Sequence, residues 1–310
     1  MNYIVFDLEW NIAGRANVID PAIQAQMPFE IIEIGAVKLN ERFEVIGEFT
    51  THVRPKLYRI LSGHIAAVTR RFQQSLKFGL PFPDAARSFL AWCAGTDKAG
   101  AGRASGGEDY VFCIWSESDT SVLKSNLSFH GFDDRLPLQC LDVQYLFDDL
   151  VERAGMQRSI EYAVDFLRLP KNEPFHQAVK DAWYTGQILQ QIAAIAASEF
   201  QLTDLLGVYA YDPNLNRSQK LSLEPAANHE EVMSRLFSEN LICPACSLAL
   251  HRIIDWERQG NRADAKFQCQ DHGPVAGKAR FRFKEKQLLT DLVLRLEKGG
   301  QGAQPCNEQP

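Results

Sequence analysis

The chain contains no apolar run long enough to cross a bilayer as a helix. No secretory signal is expected, because a strand-like run, Tyr3 to Phe6, starts almost at residue 1. Positive charge is not in surplus. Lys and Arg number 33 against 39 Asp and Glu, a net of −6, which argues against a broad, non-specific grip on nucleic acid. Cysteines are few and odd in number, seven, which fits a reducing interior better than a disulfide framework, so the expected location is cytoplasmic. What is present describes an ordinary globular protein: 45% hydrophobic and 23% charged residues. At 310 residues there is room for one domain of about 200 residues and a smaller one.

The informative residues are acids and one histidine scattered over the first 181 positions. Asp7 and Glu9 follow the apolar run in YIVFDLEW, and side chains two apart on a strand share one face. Two ionised carboxylates side by side repel unless a cation bridges them; a solvated strand end is the alternative. Asp119 follows a second apolar run, Tyr110 to Trp115, where a strand turns into a helix. Helix capping explains an Asp there equally well. Glu117 competes with it, and Asp119 is preferred because Leu123 anchors its side of the helix. His176 and Asp181 bracket the start of an amphipathic segment, Gln177 to Ile195. Five residues apart inside a helix they would diverge by about 140°. With His176 in the preceding loop and Asp181 one turn in, both reach one point. A helix-start histidine and a surface acid is the plain reading of each alone.

Strands are expected near 3–9, 31–39, 43–53, 110–115 and 138–142. Helices are expected near 60–73, 83–94, 118–127, 143–154, 159–168 and 177–197. Interleaved strands and helices indicate an α/β fold around a mixed sheet. Gly95 to Asp109 reads as a flexible Gly/Ala-rich insertion.

The order D-x-E, then Asp after a strand, then H-x-x-x-x-D at a last helix resembles the DEDDh 3′–5′ exonucleases, which include RNase T and the proofreading subunit of bacterial DNA polymerase III. FEIIEIGAVKL (Phe29 to Leu39) resembles that family's second strand. The stretch LSGHIAAVTRRFQQSLKFGLPFPDAARSFLAWC is similar to the family's Eri-like and KapD-like branch. The resemblance covers about residues 1–197. It implies an RNase H-like sheet flanked by helices. It also implies two Mg²⁺ or Mn²⁺ ions held by Asp7, Glu9, Asp119 and Asp181, with His176 as general base. The implied reaction releases nucleoside 5′-monophosphates from a free 3′ end. Trp10 stands where many relatives carry Thr. Its indole either stacks on the terminal base or packs beneath the site.

Residues 198–235 are polar and broken by Pro213 and Pro225, as expected of a linker. A zinc-ribbon-like unit is expected over 236–290, with a flexible tail at 291–310. Cys243, Cys246, Cys269 and His272 form two C-x-x-[CH] pairs suited to a structural zinc; His251 is the substitute ligand. A redox pair at Cys243 and Cys246 would need a βαβ setting that is missing. Nothing recommends Cys306. Between Cys243 and Lys286, nine basic residues face five acids, a local +4. Lys278, Arg280 and Arg282 alternate with Phe281 and Phe283, so they either follow a phosphate backbone or form the outer face of an edge strand. The unit could also hold a protein partner.

Two functions therefore stand: a metal-dependent exonuclease acting on RNA or short single strands, and an adaptor that keeps the nuclease fold for binding. DNA is the alternative substrate. All five chemical groups of the pattern are in place, which favours the enzyme.

Overall fold

The computed structural model describes residues 1–14, 17–69, 73–96, 109–285 and 287–297, which form two units, Met1–Pro213 and Asn214–Pro310. In the first unit the strands are β1 (Asn2–Ile12), β2 (Phe29–Leu39), β3 (Val45–Arg54), β4 (Leu80–Pro81), β5 (Tyr110–Ile114) and β6 (Cys140–Asp142). The helices are α1 (Pro21–Gln26), α2 (Gly63–Thr69), α3 (Phe82–Cys93), α4 (Glu117–Phe129), α5 (Val143–Phe147), α6 (Ile160–Phe166), α7 (Ala178–Glu199) and α8 (Leu205–Tyr209). The sheet runs β4-β3-β2-β1-β5-β6. β1 pairs antiparallel with β2 and parallel with β5. This is the expected mixed α/β sheet flanked by helices.

β1 is central, and both its faces are apolar at the start, as a strand covered on two sides requires. Ile4, Phe6 and Leu8 pack with Phe82, Phe89 and Leu123 from α3 and α4. Val5 packs on the other side with Tyr184 and Ile188 of α7. The alternation continues past the apolar residues, so Asp7 and Glu9 inherit the α7 face.

Several boundaries differ from the sequence reading. The 198–235 stretch is not a linker. Leu205 and Tyr211 are buried in the two cores of the first unit, and Cys140 and Tyr211 exchange backbone hydrogen bonds of 2.9 and 3.0 Å. The apolar run Leu205 to Tyr211 is short and ends at Pro213, so it signals no long helix. Beyond Pro213 comes β7 (Ser218–Ala226), then α9 (His229–Ser238). The second unit continues with β8 (His251–Gln259), β9 (Arg262–Cys269), β10 (Gly273–Lys284) and β11 (Gln287–Leu296). Together they make one antiparallel sheet, β7-β11-β10-β9-β8. Residues 291–296 are therefore strand rather than tail, because Leu292, Leu294 and Leu296 fill the core of this unit. Residues 97–108 of the expected insertion, Lys286, and the tail from 298 with Cys306 lie outside the described residues.

Candidate active site

Two distant segments of the first unit, β1 and the start of α7, bring their carboxylates together. Oxygens of Asp7, Glu9 and Asp181 lie within 4.8 Å of one another. The approach depends on Gly35, opposite Asp7 on β2. A Cβ at Gly35 would sit 1.9 Å from Val179 N and 2.2 Å from Ala178 C. Only a residue without a side chain lets the first turn of α7 rest on the strand and deliver Asp181 to β1. The sequence reading passed over Gly35, although a lone glycine inside FEIIEIGAVKL is a recognised sign of close backbone approach.

Asp119 reaches the same strand from the other side. β5 pairs with β1 only as far as Val5, so the β1 edge beyond that is open on this side. Asp119, in the first turn of α4, fills part of that gap: its Oδ1 accepts the Leu8 N–H at 3.1 Å. Asp119 thus contacts β1 directly. Glu33, a further acid absent from the sequence reading, is buried opposite Glu9 with His52 Nδ1 3.8 Å away. Its place in an apolar strand gave it no separate signal.

His176 precedes α7 in the left-handed region, at φ 65°. Its backbone N–H donates to Asp181 Oδ2 at 2.9 Å, and its side chain is exposed. Tyr184, one turn along α7, fixes this loop: its hydroxyl accepts from Glu173 N at 2.9 Å and donates to Glu173 O at 2.8 Å. Phe175 stacks on the Tyr184 ring at 4.7 Å. Trp10 is half-buried against the α3–α4 core, 5.8 Å from the Phe29 ring, so one part packs and another remains open.

Crowding shows in the proton affinities. Burial, then the charges of Asp119, Asp181 and Glu9, hold Asp7 well above the usual carboxylate range. Asp119 is pushed up to about 8, chiefly by burial and against the Leu8 hydrogen bond. Asp181 is pushed up to about 7, by burial and then by Glu9. Hard carboxylate oxygens in this arrangement suit Mg²⁺ or Mn²⁺. Asp181 Oδ1 fits that use, since it is buried with no hydrogen-bond partner among the described residues.

In the second unit, Cys243, Cys246, Cys269 and His272 also place one ligand atom each within 4.8 Å of the others. Cys246 and Cys269 Sγ are 3.6 Å apart, and His272 Nδ1 is 3.7 Å from Cys269 Sγ and 3.9 Å from Cys243 Sγ. These spacings are too long for a disulfide. They match the roughly 3.5–3.8 Å edges of a tetrahedron with bonds of about 2.0–2.3 Å. His251 is outside this quartet, exposed on β8. Lys278, Arg280 and Arg282 are exposed on β10, while Ala279 and Phe281 between them are buried.

The sequence profile of the exonuclease family RNase T matches residues 4–189, and the chain belongs to that family. Among solved structures, the nuclease domain of 3′hExo, a DEDDh family member bound to rAMP, is similar with a TM-score of 0.52 and 15% identity, over 62% of this chain and 92% of that one. A full-length 3′-exonuclease aligns with a TM-score of 0.50 and 16% identity, over 62% and 81% of the two chains. At these identities the likeness is one of fold. No curated protein matches the chain. Among the described residues no helix is long and apolar enough to cross a membrane.

Two outcomes follow from the crowding. Folded Asp119 and Asp181 keep protons that an unfolded chain has released by about pH 5, so the metal-free protein loses stability as pH rises from about 4 through 8. Thermal melts with chelator should fall across that range, and Mn²⁺ should raise the melting temperature more at pH 8 than at pH 6; a flat profile with no Mn²⁺ response contradicts this. Gly35→Ala should destabilise the protein by about 1–3 kcal/mol through overpacking and blunt the same response. A wild-type melt and Mn²⁺ response in that variant would show that the close approach does not matter.

Proposed function

We propose that this protein is a divalent-metal-dependent 3′–5′ exonuclease that releases nucleoside 5′-monophosphates from the 3′ end of RNA or short single strands. The observation that carries the proposal is the meeting of Asp7, Glu9 and Asp181 in an exonuclease-family domain, with Asp119 bound to the same strand. Asp7, Glu9, Asp119 and Asp181 would hold the ions, and Asp7 is the acid that feels the charges of the other three. Bound Mg²⁺ or Mn²⁺ supplies Lewis acidity toward the scissile phosphate and lowers the pKa of water.

The chain's own residues do the rest. The acids orient the phosphate, and their charge is tolerable only when cations offset it. His176 takes the proton of the attacking water at its imidazole. Its exposure lets that proton pass on to solvent. The Asp181 and Tyr184 contacts hold its loop beside the acids. The open part of the Trp10 indole stacks on the terminal base.

The Cys243, Cys246, Cys269 and His272 quartet is proposed to hold one structural zinc. The open face of β10 is proposed to meet nucleic acid. Arg262 lies directly across from Arg280 in the sheet, so the basic face extends beyond one strand. Arg282 is paired with Asp291 there.

A 5′-labelled RNA incubated with Mn²⁺ should shorten in single-nucleotide steps, faster than the matched DNA. Asp7→Ala should slow this by about 10³-fold or more, and His176→Ala by about 10²–10⁴-fold. Intact substrate with every protein, or equal degradation by wild type and Asp7→Ala, contradicts the proposal. Metal analysis of purified protein should find one zinc per chain, lost in Cys269→Ser together with cooperative melting of the second unit. Zinc-free wild-type protein with an unchanged melt would remove the zinc assignment.

A further inference from the structure

A cavity of about 560 Å³ opens in the exonuclease unit, and none of the clustered acids lines it. Four cationic side chains line it: Arg54 at the end of β3, Lys56 and Arg59 in the following loop, and Lys77 in the 3₁₀ turn Ser75–Phe78. Among the described residues none of the four has an ion pair. The one acid in the lining, Glu30, is already engaged: its carboxylate accepts the N–H groups of Lys56, Leu57 and Tyr58 at 2.5 to 3.0 Å. Glu30 folds the 56–58 backbone and its charge is felt by Arg59, whose Nε donates to Lys56 O at 3.0 Å; four cations against this one acid leave the cavity positive.

One wall is aromatic. His130, which caps α4, stacks on Phe82 with ring centroids 4.8 Å apart. Its Nε2 is buried and has no hydrogen-bond partner among the described residues. The loop is held open rather than collapsed. Asn11 Nδ2 donates to Tyr58 O and Ile60 O, and Gln73 donates to Arg59 O while accepting from Leu61 N. A surplus of cations around a preformed hollow is the arrangement that takes a phosphate group.

Position indicates whose phosphate. Glu30 pairs with Asn11, two residues beyond Glu9 on β1. At about 3.3 Å per residue, that pair lies roughly 7 Å along the strand from Glu9 and about 13 Å from Asp7, at the same end of the sheet, with the cavity on the α3–α4 side and the acids on the α7 face. We infer that this cavity grips a backbone phosphate of the substrate strand a few nucleotides 5′ of the scissile bond, so that catalytic efficiency depends on strand length. This rests on the exonuclease reading above. None of the four cations belongs to the proposed metal or proton-transfer machinery.

The test compares the wild type with Lys56→Ala/Lys77→Ala on two substrates, a ten-nucleotide RNA and the p-nitrophenyl ester of a nucleoside 5′-monophosphate. The variant should lose about tenfold or more in kcat/KM on the ten-mer and remain within twofold on the ester, which is too short to reach the cavity. Equal loss on both substrates, or no loss on either, overturns the inference. Should wild type turn over neither substrate, the exonuclease reading fails, and binding decides the cavity on its own. Anisotropy of a fluorescein-labelled ten-mer should then show at least fivefold weaker binding by the variant, with a salt slope shallower by about one. Equal affinity overturns it, as does a variant that loses adenosine 5′-monophosphate while binding the ten-mer normally.

Discussion

The close contact between the first turn of α7 and Gly35 of β2 governs the chemistry of this protein. With a side chain there, Ala178 and Val179 could not lie against the sheet, and Asp181 would stand off from Asp7 and Glu9. With none, three acids converge in a half-buried site where burial, and then the neighbouring charges, raise the proton affinity of Asp7 and Asp181. The fold supplies the force that holds them: the apolar length of α7, from Ala182 through Ile192, packs on the face that also takes Val5 and Val37. Burial of that stripe opposes charge crowding at one end of the helix. The result is a cluster of crowded hard oxygens whose repulsion a bound cation would offset.

Much of this was legible in the sequence, and for identifiable reasons. The period-two rule put Asp7 and Glu9 on one face, and the apolar runs before Asp7 and Asp119 marked strands whose ends meet. The left-handed turn at His176 answers the geometric objection that residues five apart on a helix diverge, because the histidine lies outside the helix and only its backbone touches Asp181. What stayed hidden was whatever acts through backbone or through burial. Gly35 and the Tyr184 clamp contribute shape rather than charge. Glu30 and Glu33 look like ordinary strand acids until their partners, the 56–58 amides and His52, are seen in space.

The second unit shows the opposite balance. Its cysteine and histidine spacing was conspicuous and its extent was not. β7 and β11 are alternating strands whose apolar residues are separated by polar ones, and a proline in β7 obscured the first. Reading those residues as linker and tail truncated a sheet of five strands. The basic residues of β10 are on its exposed side because Ala279 and Phe281 are needed in the core. A net charge of −6 therefore says little about where nucleic acid could bind: acids gather at one end of one sheet, and cations gather on the open face of the other.

The account is tested most directly by a crystal structure of the protein grown with Mn²⁺, with anomalous scattering used to locate the ions. Two manganese peaks should appear between Asp7, Glu9, Asp119 and Asp181, one of them touching Asp181 Oδ1. Manganese bound elsewhere, or those four carboxylates turned away from a common centre, would contradict it.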